Sequence, residues 1–219
     1  MAPVVRFRSA VALLGRFPAL AGVDLEVGAG EVVLLQGANG AGKTTLLRAC
    51  AGLVQVVSGE AEVLGHDLLR DRRTVRRSIG LLGHAGTLYD DLTVEDNVRF
   101  AVRAGGGDVA AVAPAMARLG VDGRLRTTVV ARLSAGQRRR VAIAALVARA
   151  PALWLLDEPH AGLDAEGRDL LDGLVRSAVA GGCTVLLASH EAERASALAG
   201  RTVVIGGGRV LRPEPAHVA

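Results

Sequence analysis

One lysine is all the chain contains. Lys43 stands alone among 26 cationic side chains, the other 25 being arginine. Aromatic residues are nearly as scarce, with one tryptophan, one tyrosine and three phenylalanines, so the core must be built from aliphatic side chains and alanine. Proteins that read nucleic acid carry a broad basic surface, often with aromatics interleaved. Here the formal charge is +4, and the arginine clusters at 70–77 and 138–140 have no aromatic beside them. No nucleic-acid partner is expected. The 70–77 cluster reads as the solvated face of a helix, with contact to anionic headgroups or a partner left open. The two cysteines, Cys50 and Cys183, lack metal-ligand spacing, which suits a reducing, cytosolic setting. No apolar run approaches the roughly 18 residues that span a bilayer. Arg149 interrupts the stretch from Val141 to Leu156, and Gly15 and Arg16 close the run Val11–Leu14. Neither a transmembrane helix nor a signal peptide is expected.

Against that background, the place where lysine is kept is informative. Gly37-Ala38-Asn39-Gly40-Ala41-Gly42-Lys43-Thr44-Thr45 fits the phosphate-loop pattern G-x-x-x-x-G-K-[ST]. Val32–Gln36 before it reads as a buried strand, and Thr44–Cys50 after it as the first turns of a helix. That context turns backbone N–H groups and a helix N-terminus toward phosphates. Lys43 then reaches the β- and γ-phosphates, and Thr44 holds Mg²⁺. A planar guanidinium is too wide for a loop wrapped around phosphates, which explains an ammonium in a chain otherwise given to arginine. The expected ligand is a nucleoside triphosphate.

Around this loop, Val4–Arg8, Val11–Leu14 and Val23–Val27 read as short strands, with a turn at Gly28-Ala29-Gly30. Ser58–Leu64 and Ile79–Leu82 read as further strands. From Thr93 to Arg149 the pattern is helical, opening on Thr93-Val94-Glu95-Asp96 with acids in the first turn. Leu153–Leu156 and Thr184–Ala188 return as buried strands. Thr202 to Leu211 reads as a hairpin, and the chain from Arg212 as a frayed tail. The expected class is α/β: one domain over 1–219, with a P-loop core, an N-terminal antiparallel β subdomain, and a helical subdomain at about 84–149 inserted in the core.

Two further stretches supply chemistry. Leu153-Trp154-Leu155-Leu156-Asp157-Glu158 is an apolar strand ending in two acids, and in a parallel sheet ligands sit at such ends. Asp157 is placed to hold Mg²⁺ through its water shell, and Glu158 to polarise an attacking water. Leu133-Ser134-Ala135-Gly136-Gln137 opens a helix 91 positions after Lys43 and 23 before Asp157. Small residues there leave N–H groups and the Ser134 hydroxyl at a helix N-terminus, a second anion site.

Taken in order, these stretches resemble the ATP-binding-cassette ATPases over nearly the whole chain. Leu133–Gln137 is similar to that family's signature, with Ala135 where glycine is commoner. The resemblance implies ATP and Mg²⁺ as ligands and a dimer of two cassettes packed head to tail, most simply two identical copies. Ser134, with Gly136 and Gln137, then completes the nucleotide site on the partner's P-loop. It makes Glu158 and Lys43 catalytic, matches Ala161–Asp164 to the loop that signals between sites, and matches His190 to the switch histidine. Two positions depart from the pattern. Where the family has a glutamine touching Mg²⁺, this chain has His84, a poorer ligand for a hard cation. Where an aromatic stacks on adenine, it has Leu14, and either Phe17, three residues on, substitutes or the base is held by apolar contact alone.

Most single cassettes of this size serve transporters, docked on an integral membrane subunit at the cytoplasmic face of the membrane. The segments 80–84 and 88–100, with Leu-Ser-Ala-Gly-Gln, are similar to the ATPase subunit of heme exporters used in cytochrome c maturation. Export of heme or a related small molecule is the expectation. The chain has no Cys-x-x-Cys-His to bind heme, so cargo would be handled by the partner. The alternative is a soluble cassette ATPase acting in assembly, of the iron–sulfur kind, which soluble instead of membrane partners would identify.

Overall fold

The computed structural model describes residues 2–83 and 88–215. Its backbone is a six-stranded sheet with a four-stranded antiparallel sheet and one helix on one face and the remaining helices on the other. In chain order the elements are β1 (Val5–Leu14), β2 (Phe17–Val27), β3 (Val32–Gln36), α1 (Lys43–Cys50), β4 (Val56–Val63) and β5 (His66–Asp67). β6 (Ile79–Leu82), α2 (Val94–Gly105), α3 (Val112–Arg118), α4 (Ala135–Arg149) and β7 (Leu153–Asp157) follow. The chain closes with α5 (Ala165–Ala180), β8 (Thr184–Ala188), α6 (Ala192–Leu198), β9 (Arg201–Gly206) and β10 (Arg209–Pro215). The small sheet runs β2-β1-β4-β5 and the large one β10-β9-β3-β8-β7-β6, parallel except for the β9–β10 pair.

The central strands are apolar except at an end residue, Gln36, Asp157 or Thr184, because both their faces are buried, as a covered parallel sheet requires. Val33, Leu35, Leu153, Leu155 and Leu186 point into one core with α1 and the small sheet. Leu34, Trp154, Leu156, Val185 and Leu187 alternate into a second core with α2–α5. β8 lies between β3 and β7, and its Ala188 is the register partner of both Leu35 and Asp157. That rung aligns the carboxyl ends of three strands, from which the loops at 37–42, 158–164 and 189–191 leave the sheet side by side.

Several expectations are corrected by the fold. The strands expected at Val4–Arg8 and Val11–Leu14 are one strand, bent by a bulge at Ser9. Ser9 has φ +45 and gives its N–H to Asp24 Oδ1 at 2.8 Å. Opposite it, a Cβ on Gly59 would lie 2.3 Å from the Ser9 carbonyl oxygen, so only glycine lets the two backbones meet. The 70–77 cluster is not a helix face. It is a turn capped by Asp71, which accepts from Arg73 N and Thr74 N, followed by a single 3₁₀ segment, Thr74–Ser78. Arg212–Pro215 is not frayed but pairs with β9, whose edge offered unpaired backbone groups.

Candidate active site

α1 begins without any cap. Its N-cap is Gly42 at φ +112, no side chain satisfies its first N–H groups, and no acid lies in its first turn. Bare amides at a positive dipole end are an anion site. The loop before it can close this tightly only through glycine: a Cβ on Gly37, at φ +149, would lie 2.1 Å from the Ile205 carbonyl oxygen. Lys43 is 8% exposed and folds back along the loop, donating to the carbonyls of Gly37 at 2.7 Å and Ala38 at 3.1 Å.

Beside the loop, Thr44 donates its hydroxyl to Asp157 Oδ2 at 2.8 Å. Asp157 itself is only 8% exposed, so this pair places two hard oxygen donors in a sheltered spot of the kind Mg²⁺ takes. Glu158 has φ +47, a left-handed conformation strained for a residue with a Cβ. Its N–H donates to the Ala188 carbonyl at 2.8 Å. Its carboxylate accepts from the His190 N–H at 3.0 Å and lies 3.4 Å from His190 Nε2. Asn39–Thr45, Asp157, Glu158 and His190 all line one cavity of about 330 Å³.

Not every expected residue reaches that cavity. Leu14 and Ala19 line it, whereas Phe17 does not and is 80% exposed. The two residues pair across the tip of the β1–β2 hairpin, with the turn at Gly15 between them. His84 lies outside the described residues. Ser134, Gly136 and Gln137 are also absent from the lining. They form a capping box at the start of α4, in which Ser134 Oγ accepts from Gln137 N at 3.2 Å and Gln137 Oε1 accepts from Ser134 N at 3.0 Å. The Ser134 hydroxyl accepts in that bond, and among the described residues its own proton has no acceptor.

Sequence reasoning missed a buried network behind the site. His160, at 1% exposure, lies 2.8 Å through Nε2 from Asp172 Oδ1 on α5. Asp172 also accepts from Arg194 on α6 at 2.5 Å, which fastens the loop after Glu158 to the helix after His190. It missed Arg139 as well, whose side chain reaches four backbone carbonyls. The run 138–140 hinted only at charge, and carbonyl partners carry no sequence signature. A further surface feature is a groove of about 280 Å³ where α2 meets the core. Leu53, Tyr89 and Phe100 are each about half exposed along it, and the two rings meet edge to face at 5.0 Å.

Comparison with known proteins bears on this arrangement. A family model described as ABC transporter matches residues 20–161. The cytochrome c biogenesis ATP-binding export protein CcmA of Cupriavidus pinatubonensis is 37% identical over 221 residues, covering 98% of this chain and 91% of that protein. The daunorubicin resistance ATP-binding protein DrrA3 of Streptomyces coeruleorubidus is 41% identical over 201 residues, 88% of this chain and 62% of that one. A solved dimeric ATP-binding cassette, in a post-hydrolysis state with ADP and Pi, superposes with a TM-score of 0.88 at 24% identity. It covers 98% of this chain and 100% of its own, a likeness of fold.

Proposed function

Since the chain belongs to the ABC transporter family and is an ATPase, we propose that it powers export through a separate membrane-spanning subunit, working as a dimer. One observation carries this reading: Lys43, Thr44, Asp157, Glu158 and His190 share a cavity that Ser134 does not line. Besides capping α4, the Ser134 hydroxyl proton has no acceptor among the described residues of its own copy. In a head-to-tail pair it completes the partner's site, and each ATP is held by both subunits.

The chemistry follows from the residues present. Lys43 exchanges its two carbonyl partners for the β- and γ-phosphates, whose charge is stronger than any carbonyl dipole. The α1 amides take the remaining oxygens. Mg²⁺ fits the Thr44–Asp157 oxygens, and when bound it supplies charge neutralisation on the phosphates. Glu158 orients a water and accepts its proton as the water oxygen bonds to the γ-phosphorus and the bond to ADP breaks. His190 steadies that carboxylate from its side. Leu14 and Ala19 offer the base apolar contact, while Phe17 stands clear of the cavity.

The half-exposed Leu53, Tyr89 and Phe100 support docking of the membrane subunit, since an apolar groove rimmed by arginine suits a short amphipathic helix. For cargo we favour heme or a related small molecule, because the CcmA relative aligns over nearly both full lengths. The likeness to DrrA3 favours drug export as the second reading. Co-purification of Glu158→Gln with ATP from detergent-solubilised membranes tests the reading. A polytopic membrane protein is expected, and its identity separates heme from drug export. Recovery of soluble partners alone would overturn the transporter assignment.

A further inference from the structure

All three arginines of the run 138–140 are engaged inside the molecule. Arg138 pairs with Asp90 at 2.7 Å, and Arg140 with Asp164 at 2.9 Å. Arg139 points to the sheet. Its Nη1 donates to the Gly83 carbonyl at 2.7 Å, its Nη2 to the Glu158 carbonyl at 2.6 Å and, at 3.5 Å, to that of Asp157. Its Nε donates to the Pro159 carbonyl at 3.1 Å. Pairing of β6 with β7 runs up to Leu82 and Leu156. The guanidinium takes up carbonyls past that rung, at Gly83 and at 157–159.

We infer that Arg139 is a positioning residue for ATP hydrolysis: it fixes the backbone of Glu158 and ties it to the helix that begins at Ser134. The inference rests on the assignment of Glu158 as the group that orients water. Glu158 sits at φ +47, a conformation that survives only where its surroundings hold it. It is held from both sides, its N–H by the Ala188 carbonyl and its C=O by Arg139. Without the second bond the peptide can relax, and the carboxylate turns with it. Because Arg139 lies five positions after Ser134 on the same helix, movement of α4 against a partner's nucleotide is passed directly to Glu158. Burial draws the Arg139 pKa down while the Asp157 and Glu158 carboxylates oppose it, so the guanidinium is a desolvated cation beside both acids. A lysine carries that charge but lacks the planar fork that spans two chain segments, Gly83 and 157–159.

The test is steady-state hydrolysis by Arg139→Gln and Arg139→Lys, with binding of a fluorescent ATP analogue measured on the same samples. Arg139 does not line the cavity that holds Lys43, Asp157 and Glu158, so analogue affinity should stay within about threefold of wild type. kcat should fall by about 10- to 100-fold in Arg139→Gln, the range expected when a catalytic group shifts by about an ångström. Arg139→Lys should recover part of the loss. A fall of less than about fivefold in Arg139→Gln overturns the inference. So does loss of analogue binding in both variants, which would make Arg139 a folding residue. Glu158→Gln is run beside them. If it still turns over ATP, the site assignment itself fails; if it is inactive while Arg139→Gln is not, only the role of Arg139 does.

Discussion

Cys50 shows how much a single enclosed atom can matter. It has no exposed surface, and burial pushes its thiol up from its ordinary 9.0 to about 12. Cys183 is pushed to about 11 for the same reason. The unfolded chain gives up these protons from about pH 9, while the folded chain keeps them, so the unfolded state binds fewer protons above that pH. Stability contributed by the buried thiols is therefore complete below pH 9 and is lost as pH rises toward their folded values. Thermal melts across this range should show the melting temperature falling, with a shallower fall in Cys50→Ala; parallel curves would contradict it. Lys43 offers a second test. At 8% exposure its pocket has no room for a guanidinium, so Lys43→Arg should weaken ATP binding by about tenfold or more, about 1.4 kcal/mol. Calorimetric affinity within about twofold of wild type would show otherwise. That Lys43, Thr44, Asp157 and Glu158 would meet at one cavity was readable from side-chain types and spacing, and His190 from the family resemblance. Arg139 and His160 were not, since a carbonyl clamp and a buried hydrogen bond arise from what the fold brings near them.

Two helix starts built on small residues behave differently. α1 leaves its amides bare behind Gly42, whereas α4 closes its own through the Ser134–Gln137 capping box. Both were anticipated as anion sites. For α4 the structure narrows the donors to the Ser134 hydroxyl proton and the amides the box does not use. Aspartate caps a helix as well as serine does and suits its dipole, but it places a negative charge where a partner's γ-phosphate would come. Ser134→Asp should therefore melt within about 0.5 kcal/mol of wild type, in contrast to the ~1 kcal/mol lost in Ser134→Ala. Its ATP hydrolysis should be abolished; activity retained in Ser134→Asp would remove Ser134 from the site. Periodicity located the helices and the buried strands well. It split β1 in two, because a bulge interrupts alternation at Ser9 without ending the strand. It also took the arginines at 70–77 for a helix, because charge spacing alone does not register the turn that Asp71 imposes.

The largest consequence concerns two copies. If each ATP is held between the P-loop of one copy and Ser134 of the other, ATP should dimerise Glu158→Gln, in which hydrolysis cannot reopen the pair. Light scattering is expected to give twice the monomer mass with ATP and monomer with ADP, and a monomer at saturating ATP would remove the shared-site reading. Among the described residues no helix is long and apolar enough to cross a membrane; if a separate membrane subunit docks as proposed, the apolar groove of Leu53, Tyr89 and Phe100 is where force would pass to it. The α/β class, the phosphate loop and the two acids were readable from order and spacing, because local chain geometry and side-chain chemistry are written in neighbouring residues. Three things came from packing instead. The rung through Ala188 sets Asp157 beside the P-loop, Arg139 binds the signature helix to Glu158, and the hairpin turns Leu14 toward the cavity while Phe17 stays outside it. Each depends on strands and helices distant in the chain meeting at one place, and register, twist and reach across such gaps are properties of the folded whole.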